Sequence, residues 1–498
     1  MTQVQDFRIE RDSIGEMQIP ADAYWGVNTA RAVENFDIAR RQISVYADFV
    51  IGFAQVKQAA CRANVEIGVL DAEIAQYIDR ACQDIIDGEL HDQFVVGVIQ
   101  GGAGTSSNMN ANEVIANRAL ELAGRPLGDY DYISPNDHVN MSQSTNDAYP
   151  SAMKIGVVHA MRTLIAEHEL LRDAFLKKGQ EFRTVLKMGR TQMQDAVPMT
   201  LGQEFHGFAT TSGEDIQRLR DVLPLLQELN LGATAIGTGI NAHPDYAPAV
   251  MRHLREITGF THLVTAHDLI EATSDTGVFM SVSSVMKRAA MKLSKICNDL
   301  RLLSSGPQAG LGEINLPARQ AGSSIMPGKV NPVIPEAVSQ VAFVIAGSDV
   351  TVSMASEAGQ MQLNAFEPVM MHVILQNSTW LRRAMRTLRV NCVNGITANA
   401  ERTEAQVVAS IGLVTALNPY IGYAAASRIA KRAQQSGESV ADIAVEEGLL
   451  TRQQVDDILK PEALAGRLPE LGGLGLLSDE EIAEKERRID EHDTSELA

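Results

Sequence analysis

The stretch VFMSVSSVMKRAAMKLSKICNDLRLLSSGP, residues 278–307, indicates which class of fold this chain adopts. Its apolar residues recur at spacings of three and four, so they share one face of a helix. Gly306 and Pro307 end the pattern, because neither residue supports a continuing helix. The stretch therefore predicts a long helix with one buried face. That face carries Val278, Val282, Val285, Met286, Ala289, Leu293, Ile296, Leu300 and Leu303.

Three further stretches predict long helices. One starts near Asn146 or Asp147, either of which can cap a helix, and the others cover about 334–356 and 366–390. Few segments alternate with a period of two, and aromatic residues make up only 5% of the chain. We therefore expect a mainly α protein built on an elongated bundle of long helices. In the first stretch the recurring residues are Val157, Met161, Leu164, His168, Leu171 and Phe175.

The composition limits the classes of function. The chain has 498 residues, enough for two or three domains, and a formal net charge of −19, which argues against a nucleic-acid or anionic-membrane partner. The N-terminus is polar, and no apolar run approaches the roughly 20 residues of a membrane helix. The four cysteines are expected to be reduced and buried. We expect a cytoplasmic protein whose Gly-rich and charged tail, from about residue 466, packs loosely.

Polar segments rich in Gly, Ser, Thr and Asn interrupt the helical patterns. Pro327 and Pro332 exclude a continuous helix from one of them, which is therefore a loop. Short hydrogen-bond donors beside helix starts can bind carboxylates, and Lys329 adds a positive charge. The alternative is that these segments serve only as caps and turns. The segments are AGSSIMPGKVNP (321–332), GGAGTSSNMN (101–110), NMSQSTND (140–147) and GRTQMQD (189–195).

Helix length separates two of these segments. A continuous helix over about 148–187 would be about 60 Å long at roughly 1.5 Å per residue. Ser144 and Thr145 would lie at one end and Thr191 at the other, so one chain could not bring them to one ligand. Different subunits would then supply them, most simply in a symmetric tetramer. A bend at Gly156 or Gly179 would weaken this argument.

The polar segments, together with PADAYWGVNTARAVENF (20–36) and LGATAIGTGIN (231–241), resemble the aspartase/fumarase superfamily. The resemblance covers about residues 7–465, and the family also contains argininosuccinate and adenylosuccinate lyases. It implies a three-domain, mainly α fold with a tetrameric core of long central helices and active sites shared by three subunits. We assign the domains to 1–145, 146–402 and 403–498. No organic cofactor or metal site is implied, and metal activation is left open.

The resemblance also implies a reaction, the reversible deamination of L-aspartate to fumarate and ammonia. Ser323 matches the family's base, which removes the β-proton and leaves an enediolate; Ser324 is the alternative base. The family places further substrate contacts on the remaining matched positions. The developing charge would be stabilised by Thr105, Ser144 and Thr145, together with the backbone N–H groups of the Ser323–Ser324 loop. The α-carboxylate would be bound by Lys329 and Asn331. The amino group would be bound by Asn146 and Thr191, with Gln192 nearby.

Gln192 discriminates between the reactions of the family. Fumarases typically carry His there, paired with a Glu that matches Glu336, because hydroxide needs a general acid to leave. Ammonia leaves without one, and glutamine cannot donate a catalytic proton at neutral pH. Dehydration of malate, as in a class II-type fumarase, or another lyase reaction of the family is the alternative. A third hypothesis, an inactive structural homologue, would be expected to lack Ser323, Lys329 or Asn331.

Overall fold

A computed structural model describes residues 6–322, 324–464 and 476–495, and these are mainly helical, as expected. Ser323 lies outside the described residues. The helices are α1 (Val27–Asn35), α2 (Ala47–Glu66), α3 (Ala72–Ile86), α4 (Thr105–Leu122), α5 (Thr145–Glu181), α6 (Leu201–Asp221), α7 (Tyr246–Thr258), α8 (Leu269–Ser274), α9 (Gly277–Leu303), α10 (Val333–Glu357), α11 (Glu367–Asn391), α12 (Ala400–Ala409), α13 (Val414–Ile421), α14 (Tyr423–Ser436), α15 (Val440–Glu446), α16 (Arg452–Ile458), α17 (Pro461–Leu464) and α18 (Asp479–Ser495).

The strands are short and form two-stranded sheets. The β3–β4 pair is the longest and replaces the last turns of the helix expected over 148–187, so α5 ends at Glu181 instead. Polar residues on β4 and a tight turn after Thr191 make a hairpin more favourable than a continued helix there. The strands are β1 (Phe7–Arg11), β2 (Glu16–Pro20), β3 (Leu186–Thr191), β4 (Gln194–Thr200), β5 (Glu228–Leu229), β6 (Val264–Thr265), β7 (Ile314–Asn315) and β8 (Thr397–Ala398).

Helix α5 runs without a break through both glycines at which a bend was considered. A Cβ at Gly156 would lie 2.9 Å from the carbonyl oxygen of Asp48, so glycine there lets α2 approach closely. Pro150 removes one N–H from the helix and frees the carbonyl of Asn146 four residues earlier. Nδ2 of Asn230 donates to that carbonyl at 3.0 Å. Packing and this substitute hydrogen bond keep α5 continuous for 37 residues, or about 55 Å.

The long helices pack side by side as a bundle. Helix α9 matches the range expected from residues 278–307, and it packs on α10, which packs on α11, which packs on α5. Helices α5 and α11 run in the same direction. The carbonyl of Ala160 accepts from Ser378 Oγ at 3.3 Å, and farther along, Glu167 pairs with Arg389 at 2.7 Å. The N-terminal ends of α5 and α11 therefore lie at one end of the bundle and their C-terminal ends at the other.

Helix α10 bears on the expectation that the chain has no membrane segment. Among the described residues, α10 is a helix that is long enough and apolar enough to cross a membrane by length and composition. In this chain, 33% of its most apolar segment is already buried. It carries Glu336 and Asp349, and its outer face exposes Phe343 and Val350. The sequence predicts this helix over about 334–356, and the polar residues spaced along it interrupt any continuous apolar run.

The C-terminal part forms a second hydrophobic cluster and then returns to the bundle. Side chains of α12 to α16 pack on Leu186 and Met188 of β3. Helix α18 lies on α5, with Ile489 buried, and Asp493 pairs with Arg382 of α11 at 2.6 Å. The expectation of a loosely packed tail is therefore wrong for residues 476–495, while residues 465–475 lie outside the described part of the chain.

Candidate active site

The start of α5 presents Ser144 and Thr145. Ser144 caps the helix, its Oγ accepting from the N–H of Asn146 at 3.3 Å, while Asp147 accepts from the N–H of Ser144 at 2.9 Å. Thr145 Oγ1 accepts from Nδ2 of Asn108 on α4 at 3.1 Å. These contacts hold both hydroxyl groups at the positive end of the helix dipole, where an anion is stabilised.

Thr105 lies at the start of α4, beside the start of α5. The preceding residues Gly102, Ala103 and Gly104 all have positive φ, which forms a tight turn before the helix. Thr105 is exposed, and its Oγ1 donates to the carbonyl of Gly102 at 2.7 Å. The contact between Asn108 and Thr145 joins the two helix starts. The structure thus brings together the N-terminal ends of α4 and α5.

Asp147 connects the start of α5 to the loop after β5. Its Oδ2 accepts from the N–H groups of Gly232 and Thr234 at 3.2 and 2.9 Å. Burial raises the pKa of Asp147 to about 6, against the lowering effect of these backbone hydrogen bonds. Nδ2 of Asn146 donates to the carbonyl of Ala235 in the same loop at 2.7 Å. The predicted amino-group ligand Asn146 is therefore oriented by this loop.

A buried lysine linked to these helix starts was not among the site residues expected from the sequence. Lys57 of α2 has no exposed surface and donates to Asn140 Oδ1 at 3.0 Å and to Gln143 Oε1 at 2.9 Å. Asn140 Oδ1 also accepts from Asn108 and Asn112, each at 3.1 Å. Burial lowers the pKa of Lys57 to about 7. The available signal was a lysine between Val56 and Gln58 on a largely apolar helix, where an unpaired charge would be costly.

Thr191 and Gln192 lie at the other end of α5. Gln192 and Met193 form a two-residue turn with φ of 53° and 65°, and residues 191–195 are exposed. The hairpin reaches about 20 Å at roughly 3.3 Å per residue, and it follows the C-terminal end of a helix about 55 Å long. Thr191 therefore does not meet Ser144 within one chain.

The loop at 321–332 also lies far from the start of α5. Asn331 lines a small cavity with Asn391, at the C-terminal end of α11, which runs parallel to α5. Nδ2 of Asn331 donates to the carbonyl of Gly322 at 2.6 Å, and a Cβ at Gly322 would lie 2.3 Å from the carbonyl oxygen of Lys329. Ser324 and Lys329 are exposed. Among the described residues of the loop, Asn331 thus closes the turn from within, while Ser324 and Lys329 face outward.

The geometry divides the expected site residues into three groups in one chain. One group is at the helix starts, Thr105, Ser144, Thr145 and Asn146; the second is Thr191 and Gln192 on the hairpin; the third is Ser324, Lys329 and Asn331 on the 321–332 loop. Ser323, the expected base, falls outside the residues that the structure describes. Within the described ranges no group of three His, Cys, Asp or Glu side chains is placed to hold a metal ion.

Two family models match the chain. A model described as lyase matches residues 15–347, and one described as fumarase C C-terminus matches residues 413–466. The chain is similar to the aspartate ammonia-lyases of Helicobacter pylori (56% identical, covering 91% of this chain and 97% of the relative) and Pseudomonas fluorescens (57%, 93% and 97%). The aspartate ammonia-lyase of Escherichia coli K12 is 52% identical over 92% of this chain and 96% of its own length.

Solved structures show the same fold. A structure described as fumarate lyase:delta crystallin from Brucella melitensis, bound to cobalt, superposes with a TM-score of 0.90, 53% identity, and coverage of 93% of this chain and 100% of that one. A class II fumarase from Schistosoma mansoni superposes with a TM-score of 0.85 at 32% identity, covering 92% and 99%. Neither family model extends beyond residue 466, so α18 lies outside the matched residues.

Proposed function

The chain belongs to the aspartase/fumarase family of lyases, and on that premise we propose how it converts L-aspartate to fumarate and ammonia. The reaction makes it a carbon–nitrogen lyase. The observation that carries this function is 52–57% identity to three aspartate ammonia-lyases over more than nine-tenths of the chain. The class II fumarase is more distant, at 32% identity.

The difficult step is removal of the β-proton, because the carbanion must be delocalised into the adjacent carboxylate. Ser323 removes this proton, and the resulting enediolate is stabilised by donors aimed at its two oxygens. The paired starts of α4 and α5, with Thr105, Ser144 and Thr145, supply hydroxyl groups and helix-terminal N–H groups for this purpose. Such preorganised donors commonly provide the largest part of the catalysis of an enolate-forming step.

The remaining contacts hold the other two groups of the substrate. Lys329 and Asn331 bind the α-carboxylate, while the backbone N–H of Ser324, from the same loop, joins the donors that stabilise the enediolate. Asn146 and Thr191 bind the amino group with Gln192 beside them. Gln192 can position an ammonium group but cannot deliver a proton to a leaving hydroxide, which favours ammonia release over dehydration.

We propose a homotetramer with each site shared by three subunits. Two observations support it: α5, about 55 Å long, lies between Ser144 and the hairpin that carries Thr191, and the outer face of α10 exposes apolar side chains along its length. A second copy that covers this face would complete the bundle and bring the three groups of site residues together. The domain division at residues 145 and 402, a cytoplasmic location and a reaction without cofactor remain parts of this proposal.

The proposal is tested by the ultraviolet absorbance of fumarate with purified protein. Fumarate formed from L-aspartate supports ammonia-lyase activity, and fumarate formed from malate but not aspartate supports a fumarase. Formation from neither refutes both. Ser323→Ala should abolish turnover while the tetramer remains intact, and Ser324→Ala should keep measurable turnover. The reverse result would make Ser324 the base.

A further inference from the structure

A buried carboxylate joins the β3–β4 hairpin to the segment that precedes the 321–332 loop. Glu313 has no exposed surface, and its Oε2 lies 2.9 Å from Nζ of Lys187 on β3. Its Oε1 accepts a hydrogen bond from Nη1 of Arg190, three residues further along the same strand. Glu204, near the start of α6, forms a second ion pair with Lys187. Two cations of one strand therefore meet the single carboxylate of Glu313.

The backbone of Glu313 is held on both sides. Its N–H donates to the carbonyl of Leu303, at the end of α9, at 2.8 Å, and its own carbonyl accepts from the N–H of Asn399 at 2.9 Å. Gly312, directly before it, has a φ of 59°, and a Cβ there would lie 3.0 Å from the guanidinium carbon of Arg402. The carboxylate thus projects from a point that is anchored to the long helices.

The direction of the hairpin depends on this anchor, because the pairing of its own two strands is irregular near the tip. Arg190 directly precedes Thr191, and beyond it the tip of the hairpin is exposed. The strand pairing shifts register between Met188 and Arg190, so backbone pairing alone is irregular where the tip begins. A buried ion cluster gives little net stability, because desolvation of the charges offsets their attraction. It does restrict its members to few arrangements, which defines the direction of the strand.

We propose that Glu313 is a positioning residue for the lyase reaction. It holds Arg190 and Lys187 so that Thr191 and Gln192 of one subunit reach the substrate amino group in a site completed by two partners. The inference rests on the proposed function and on the proposed sharing of sites. Glu313 does not touch the substrate and acts through the hairpin.

The first test is kinetic. Glu313→Gln retains the size of the side chain and removes its charge, and we expect kcat/KM for aspartate to fall roughly 10- to 100-fold, mainly through KM, in a tetramer that still assembles. Glu167→Gln is the matched control, because Glu167 is equally buried and pairs with Arg389 at 2.7 Å in the bundle. The control should lower the melting temperature without changing KM. An unchanged KM in Glu313→Gln would overturn the inference.

The second test asks which part of the site Glu313 serves. Two differently tagged variants are co-expressed, and mixed tetramers are purified. A hairpin defect and a loop defect on different subunits leave some sites with both parts intact, so Thr191→Ala with Lys329→Ala should recover activity. Glu313→Gln with Lys329→Ala should recover activity likewise, whereas Glu313→Gln with Thr191→Ala should not.

The outcomes separate the two levels of the proposal. Recovery in the Thr191→Ala and Lys329→Ala mixture, without recovery when Glu313→Gln replaces Thr191→Ala, would show that Glu313 does not act through the hairpin and would overturn the inference alone. No recovery in the first mixture would refute sites in which the hairpin and the loop come from different subunits, and the inference with them. Arg190→Gln removes the hairpin side of the same contact and serves in both tests if Glu313→Gln does not assemble.

Discussion

Asn140 shows how single residues prepare the site before any substrate binds. One side-chain oxygen accepts from Lys57, Asn108 and Asn112, and Asn108 in turn donates to Thr145. Such a network has few alternative arrangements because each donor has its acceptor within the buried region. The hydroxyl group of Thr145 is therefore held by a chain of contacts that begins on α2. The network also places the ammonium group of Lys57 below the helix starts that would bind the anionic intermediate.

Lys57 should make stability depend on pH in a definite direction. The ordinary lysine pKa is 10.5 and burial lowers that of Lys57 to about 7, so the folded protein binds this proton more weakly than the unfolded chain. Its contribution to the free energy of unfolding should therefore rise from about pH 7 to about pH 10.5, by several kcal/mol at most. Urea unfolding at fixed protein concentration measures this rise.

A comparison of variants isolates the contribution of Lys57. Lys57→Met should show a smaller rise of unfolding free energy with pH than the wild type. Lys177→Met, which removes an exposed lysine of α5, should retain the full rise. An identical pH dependence for the wild type and Lys57→Met would contradict the lowered pKa.

Lys329 is the second residue whose role can be measured directly. Lys329→Ala should raise KM for aspartate by about 10- to 100-fold and also lower kcat, because the bound α-carboxylate loses its charged partner. Lys431→Ala removes another exposed lysine, on α14, and should leave both constants unchanged. Steady-state kinetics with both variants checks this, and an unchanged KM for Lys329→Ala would exclude its role in binding.

At the scale of elements, α18 is the feature that the family pattern did not foresee. Asp493 pairs with Arg382 at 2.6 Å and Glu486 with Arg389 at 2.8 Å. Nε2 of His492 lies 2.8 Å from Asp48 Oδ2 on α2. Helix α18 therefore spans three helices of the bundle and covers charged side chains that would otherwise face solvent.

Removal of α18 should lower stability without changing substrate binding. A chain that ends at residue 464 exposes the site of Ile489 and removes the carboxylates of Glu486 and Asp493, so its melting temperature should fall by about 5 °C or more. KM should stay the same because the ion pairs that α18 forms with Asp48, Glu169 and Arg382 involve none of the expected site residues. Differential scanning calorimetry and steady-state kinetics test the two statements.

A single substitution gives the control for this truncation. Glu484 pairs with Arg487 on the exposed side of α18, and Glu484→Gln should leave the melting temperature nearly unchanged because solvent screens the pair. Asp493→Asn should lower the melting temperature in the same direction as the truncation. A truncated chain with the same melting temperature as the full chain would show that α18 does not stabilise the bundle.

At the scale of the molecule, activity should depend on assembly. Val350 is 58% exposed on the outer face of α10, and Val350→Arg should dissociate the tetramer because it places a charge in the proposed subunit contact. Activity should fall with the tetramer fraction, since no single chain brings all three groups of site residues to one place. Ile14→Arg, at a residue 77% exposed near β1, is the control. Sedimentation velocity gives the tetramer fraction of each variant, and activity is measured at the same protein concentrations. An active monomer would refute shared sites.

Much of the architecture followed from local patterns. The apolar spacing of residues 278–307 predicted α9, and the ranges 334–356 and 366–390 predicted α10 and α11 to within a residue or two. The helix expected over 148–187 extends too far, because α5 ends at Glu181 and Leu186 already pairs with Thr200 in the β3–β4 hairpin. The pairing of β3 with β4 ends the helix there, and the apolar spacing along the sequence does not show this pairing.

The sequence by itself determined the long helices, their caps and the polar residues that match the family, because periodicity, capping and turn chemistry depend on neighbours along the chain. Only the tertiary structure decided that Lys57 lies below the start of α5, that Glu313 holds Arg190, and that α18 returns to the bundle. Each of these contacts joins residues far apart in sequence. Their energy comes from burial and charge pairing, which exist only once the helices have packed.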